Sequence, residues 1–229
     1  MSSTPKLEGM LFDLDGTLID SLQDIANAMN SVLERNGYPV HPVADYNHHV
    51  GDGMDVLARR VLPPEVAEES VARARVVAEM KEVYADSWHH FSAPYPGIEE
   101  LLDTLLRLPL KLGVLSNKPE EFTTLMVEHF FPGVAWAAVR GARPGVPVKP
   151  APDAALEISE EWACSPKTLL FAGDTSTDIR TAVNAGMPCV GVTWGFRDRE
   201  ELLRSGADWI VDHPAEISGR LTRVLSRPI

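Results

Sequence analysis

The chain has 229 residues, room for one large domain or for a core with a smaller insert. Hydrophobic residues make up 45% and charged residues 24%, a globular balance, and no apolar run approaches the roughly 18 residues of a membrane span. A formal net charge of −12 argues against nucleic acid or an anionic membrane surface as partner, and any anionic substrate would need a locally positive pocket. The two cysteines, Cys164 and Cys189, form no C-x-x-C pair and no zinc-ligand spacing, which suits a reducing compartment. The N-terminal "MSSTPKLEG" lacks the charged-then-apolar layout of a signal peptide, so the expectation is a cytoplasmic protein.

In chain order, Leu7 to Asp13 is a short apolar run ending in acids, the pattern of a buried parallel strand. A helix is predicted from Ser21, with Asp24 three residues on as a capping-box partner, to a stop at Asn36-Gly37. "VGDGMDVLARRVLPP" reads as a glycine turn feeding a short helix stopped by Pro63-Pro64. From Glu65 to about His90 one long helix is predicted, its buried stripe running through Val77, Met80, Tyr84, Trp88 and Phe91. "SAPYPG" then breaks the chain, and the rhythm changes to alternating helices and strands. Helix 97–107 precedes strand 110–117, helix 118–130 precedes strand 134–141, and a Pro/Gly-rich loop carries Lys149 into helix 152–161. Strand 168–174, helix 177–185, strand 188–194, helix 198–205, strand 208–212 and a last helix complete the pattern. This alternation predicts an α/β fold, a doubly wound parallel sheet, with an all-helical segment inserted after the first strand. The predicted division is a core of residues 1–19 and 91–229 around an insert of residues 20–90.

In such a sheet all strands end at one edge, where ligands bind. Four polar groups follow strand ends: Asp13 with Asp15, Ser116 with Asn117, Lys149, and Asp174 with Asp178. A hairpin turn does not explain "DLDGT", because helical spacing follows it rather than a returning strand. Capping accounts for one carboxylate there but not two. Acids crowded at a sheet edge are costly unless a cation joins them, and an oxygen-rich site suits Mg²⁺.

"FDLDGTLIDS", "LSNK", "VKPAPD" and "GDTSTD" together resemble the four successive motifs of the haloacid dehalogenase-like (HAD) phosphatases. The likeness spans nearly the whole chain, and the helical insert resembles that family's small cap. Within the family, "HHVGDGMDVLARRVL" and "AGDTSTDIRTAVNAGMPCVGVTWGF" are most similar to the phosphoglycolate phosphatases, with Thr175 standing where a serine is expected.

The resemblance implies a Mg²⁺-dependent phosphatase acting on small phosphate monoesters, 2-phosphoglycolate first among them. It implies Asp13 as nucleophile, forming an aspartyl-phosphate, and Asp15 as general acid and then base. It implies Mg²⁺ on the Asp13 carboxylate, the Asp15 backbone carbonyl and Asp174, with Asp178 as a further or outer ligand. Ser116, Lys149 and backbone amides near Gly16 and Asn117 would cradle the phosphoryl group. The insert would close over the site, with Gly51 and Gly53 candidates for reading a substrate carboxylate and Arg59 or Arg60 weaker ones. The paired histidines, His48-His49 and His89-His90, are expected to be surface or core residues. Pyrophosphate, a sugar phosphate, a phosphomutase reaction and, in a different class, an aspartate-phosphorylated receiver module remain open. A monomer or a homodimer is compatible with the pattern.

Overall fold

The computed structural model describes residues 7–225. Up to Lys6, the N-terminal stretch read for a leader lies outside the described residues. Strand β1 (Gly9–Phe12) leads through the short strand β2 (Ile19–Asp20) into helices α1 (Leu22–Arg35), α2 (Met54–Val61), α3 (Pro64–Ala67) and α4 (Ser70–Ser87). A short strand β3 (Ala93–Pro94) pairs antiparallel with β2, so the chain leaves and re-enters the sheet layer at one place. Then follow α5 (Ile98–Leu105), β4 (Lys111–Pro119), α6 (Glu120–Phe130), β5 (Trp136–Ala142), α7 (Asp153–Glu161), β6 (Leu169–Gly173), α8 (Ser176–Ala185), β7 (Cys189–Val192), α9 (Arg199–Arg204), β8 (Trp209–Val211) and α10 (Pro214–Leu225).

The six longer strands form one parallel sheet in the order β5-β4-β1-β6-β7-β8. From β1 the chain builds outward through β4 and β5, then crosses to the other side of β1 and builds outward again. The order therefore reverses at β1, and the carboxyl end of β1 is the crevice where such sheets bind ligands. β1 is apolar because both its faces are covered. Met10 and Phe12 join one buried cluster and Leu11 the other, as the two-residue period of a strand requires. The Met10/Phe12 cluster continues without a break into α1, α2 and α4. Tyr84 of α4 meets Phe122 of α6 edge-on, with ring centres 5.2 Å apart. No described helix is long and apolar enough to cross a membrane.

Three local expectations are corrected. Ser21 does not cap α1 with its side chain, and Asp24 closes no capping box. Asp24 instead accepts from the backbone amides of Phe91 (2.9 Å) and Ser92 (2.8 Å) and from Ser92 Oγ (2.7 Å). The long helix expected over 65–90 is two, α3 and α4, because Glu69 is extended at ψ 103°. It ends at Ser87, since the amides of Phe91 and Ser92 are committed to Asp24, and Phe91 is left 65% exposed instead of buried. The helix expected from residue 118 begins at Glu120, because Pro119 holds the residue before it extended. Lys118 is thereby carried to the edge of the sheet.

Candidate active site

The chain turns sharply after β1. The Asp13 amide still donates to the β6 carbonyl of Ala172 at 2.9 Å, and the Gly16 amide donates to Ile19 at 2.9 Å. Gly16 has φ +85°, and a Cβ there would run into the Asp174 carboxylate. Gly16→Ala therefore has two faults, a left-handed backbone and a collision with a buried acid. It is expected to cost more than about 1 kcal/mol of stability, read by urea denaturation, and to take activity with it.

Asp13, Asp174 and Asp178 are buried and bring carboxylate oxygens within 4.8 Å of one another. Loss of water pushes the Asp13 carboxyl well above the usual range; Asp178 and Asp174 push it further, against the pull of Lys149. Burial, then Asp178, raises Asp174 to about 7, although Phe196 N–H and Thr17 Oγ1 donate to it at 2.8 and 2.7 Å. Lys149 Nζ lies 2.8 Å from Asp13 Oδ1 and 2.6 Å from Asp178 Oδ1. Burial opposes its ammonium, but Asp13 and then Asp178 outweigh that and raise its pKa. The other Asp178 oxygen accepts from Thr175 N (3.0 Å) and Thr175 Oγ1 (2.7 Å), closing the capping box of α8. Three acids thus face one lysine, and the cluster is short of positive charge.

Asp15 makes a second centre. Lys118 Nζ lies 2.9 Å from both its oxygens, and Ser21 Oγ donates to it at 2.5 Å. Ser116 Oγ accepts from the Lys118 amide at 3.3 Å and keeps its own proton to donate. The Asn117 side chain brackets the Lys149 backbone, donating to its carbonyl at 3.0 Å and accepting from its amide at 2.8 Å. This clip holds the β5–α7 loop against the end of β4.

A cavity opens over Asp13, Asp15 and Ser116–Lys118, roofed by Val50, Gly51, Gly53 and the apolar side chains of α2. The roof is tied down by three bonds: Asn117 Nδ2 to the Gly51 carbonyl at 3.2 Å, Thr177 Oγ1 to Asp52 at 2.5 Å, and an Arg197 N–H to the Val50 carbonyl at 3.0 Å. Arg59 is not part of it; its exposed guanidinium pairs with Glu68 at 2.9 Å. Arg60 turns to Asp52 and the His49 carbonyl. His49 meets His41 and Tyr46 edge-on, while His89 is exposed beside Trp88, His129 and the equally exposed His90.

The residues that sequence reasoning passed over are Thr17, Ser21, Lys118 and Tyr84. Lys118 had a signal, its place directly behind Ser116-Asn117 before a proline. Thr17 looks like an ordinary turn residue, Ser21 like the cap of the helix that follows, and Tyr84 like one more core position on an amphipathic stripe.

The description "Haloacid dehalogenase-like hydrolase" belongs to a family model that matches residues 10–192. Over 206 residues the chain is 31% identical to a phosphoglycolate phosphatase of Pseudomonas putida, covering 89% of this chain and 75% of that one. A phosphoglycolate phosphatase of Vibrio parahaemolyticus is 31% identical over 210 residues, 90% of this chain and 92% of that one. A crystal structure from Lactobacillus delbrueckii, of a candidate phosphoglycolate phosphatase, superposes with a TM-score of 0.88 at 30% identity, over 97% of this chain and 100% of that one.

Proposed function

The chain belongs to the haloacid dehalogenase-like hydrolases and is a phosphatase, and from that premise we propose that it hydrolyses 2-phosphoglycolate to glycolate and phosphate through a phosphorylated Asp13. The observation that carries this reading is the pairing of a buried Asp13–Lys149 contact at 2.8 Å with a second acid, Asp15, on the wall of the same cavity.

In this reading the Asp13 carboxylate attacks phosphorus in line, the leaving alcohol takes a proton from Asp15, and the ionised Asp15 then draws a proton from the water that frees Asp13. Phosphoryl transfer is largely positioning and electrostatics, and the fixed donors supply both. Lys149 sits between Asp13 and the incoming charge. The Ser116 hydroxyl retains a proton for a phosphoryl oxygen, and the Asn117 clip fixes the Lys149 backbone. Two raised carboxyls among crowded, hard oxygen donors suit Mg²⁺. Asp13, Asp174 and the Asp15 carbonyl would hold it. Both oxygens of Asp178 are committed to Thr175 and Lys149, so that acid would orient the lysine. When bound, the metal would neutralise charge between nucleophile and phosphoryl oxygens.

The helices between β2 and β3 act in this reading as a cap over residues 20–90, with Gly51 and Gly53 closing the cavity against water. The working compartment is proposed to be the cytoplasm, in line with the free cysteines Cys164 and Cys189. The test is a set of phosphate esters ranked by kcat/KM in Mg²⁺. 2-Phosphoglycolate is expected to lead sugar phosphates and pyrophosphate, with steady phosphate release and no bisphosphate activator. A sugar phosphate or pyrophosphate at the head of the ranking, or a demand for a bisphosphate, overturns the substrate assignment.

A further inference from the structure

Arg59 and Arg60, the arginines suggested for the leaving group's acid function, are turned to Glu68 and Asp52. Lys149 is spent between Asp13 and Asp178. Among the described residues, Lys118 carries the one positive charge on the cavity wall. The remaining wall includes Ile25, Met54, Leu57 and Met80, none of which can take a carboxylate out of water without a large penalty.

Resting on the phosphoglycolate reading, we infer that Lys118 is a specificity-determining residue that binds the carboxylate of the leaving group. Its ammonium lies 2.9 Å from both Asp15 oxygens and 4.7 Å from the centre of the Tyr84 ring. An ammonium has three donors and the Asp15 carboxylate occupies at most two. The geometry matches the substrate's own spacing. Asp15 must reach the ester oxygen, and in 2-phosphoglycolate a single methylene separates that oxygen from the carboxylate carbon. A carboxylate so tethered lies alongside Asp15, where the Lys118 ammonium stands. Tyr84 belongs to α4 and Lys118 to β4, so the insert and the sheet hold this cation together. The leaving groups favoured are small and carry an anion next to the ester carbon.

The experiment compares kcat/KM for 2-phosphoglycolate with that for ethyl phosphate, which is similar in length and lacks the carboxylate, in the Mg²⁺-loaded wild type and in Lys118→Met. Loss of the lysine is expected to shrink the ratio by about 10- to 100-fold, the range for a hydrogen bond to a charged group. A lysine acting only by holding Asp15 would lower both substrates equally; an unchanged ratio in the variant, beside a clear wild-type preference, overturns the inference while leaving the substrate reading standing. A wild type without that preference overturns both. A second readout needs no substitution: wild-type crystals with 3-phosphonopropionate are expected to show its carboxylate on Lys118 Nζ. A carboxylate lying instead on the Gly51–Gly53 amides overturns the assignment.

Discussion

Asp13→Asn is expected to abolish turnover, by at least about 10⁴-fold in kcat, while the protein stays folded. The amide has nearly the shape of the acid and no nucleophilic oxygen of comparable strength. The charge has one ionic partner, Lys149 at 2.8 Å, and the bond that the side chain accepts from the Leu14 amide at 2.7 Å needs an oxygen that the Asn side chain still offers. Asp13 caps the end of β1 through its backbone, and Lys149 keeps Asp178 as a partner at 2.6 Å when Asp13 is neutral. The native state pays for the Asp13 charge, since burial and the neighbouring acids push its carboxyl up. Metal-free Asp13→Asn is therefore expected to melt no lower than metal-free wild type at pH 8. The two measurements together separate a chemical role from a structural one: steady-state phosphate release gives the first and a thermal melt the second. Near-normal turnover would remove Asp13 as the nucleophile.

Removal of metal is the second large effect. EDTA is expected to silence the enzyme and Mg²⁺ to restore it, and the same chelation has a thermodynamic signature. Asp174 has a usual carboxyl value of 3.8 and is raised to about 7 in the fold, so over that window the native state holds a proton that the unfolded chain has lost. The unfolded state then binds fewer protons, and stability falls as pH rises by about 1 kcal/mol per pH unit for each such group. The contribution is present in full below about pH 4 and gone above about pH 7. Asp13 is displaced in the same direction and adds to the trend. Metal-free protein is thus expected to lose melting temperature between pH 5 and pH 7.5 through Asp174, and a bound cation reverses the sign by favouring the ionised acids. Added Mg²⁺ should raise the melting temperature more at pH 8 than at pH 5.5. Equal shifts at both values would mean that the metal does not sit on this cluster.

The strand-end logic made much of the site legible. Apolar runs ending in acids, a serine or a lysine mark parallel strands whose carboxyl ends share an edge, and the structure brings Asp13, Ser116, Lys149 and Asp174 together there across more than a hundred residues. What escaped lies in contacts that no spacing encodes. Asp24 looked like a capping partner three residues from Ser21, yet it reaches across to the amides of Phe91 and Ser92 and ends the preceding helix early. Lys118 fell inside an expected helix because its neighbours have helical propensity; the proline behind it decides otherwise and places its ammonium on Asp15. The capping box was placed at the wrong helix. The working one, Thr175 with Asp178, uses an aspartate whose other oxygen binds Lys149, so one side chain both starts a helix and orients a charge.

The account stands on a phosphoryl group resting on one carboxylate. Asp15→Ala is expected either to let that group accumulate by slowing its release or to slow formation and release together, so brief mixing of the variant and of the wild type with phosphate-labelled 2-phosphoglycolate, an acid quench and peptide mapping should find the label on Asp13 and nowhere else. Turnover in the wild type with no label on Asp13 in either protein, or label on another side chain, would contradict it.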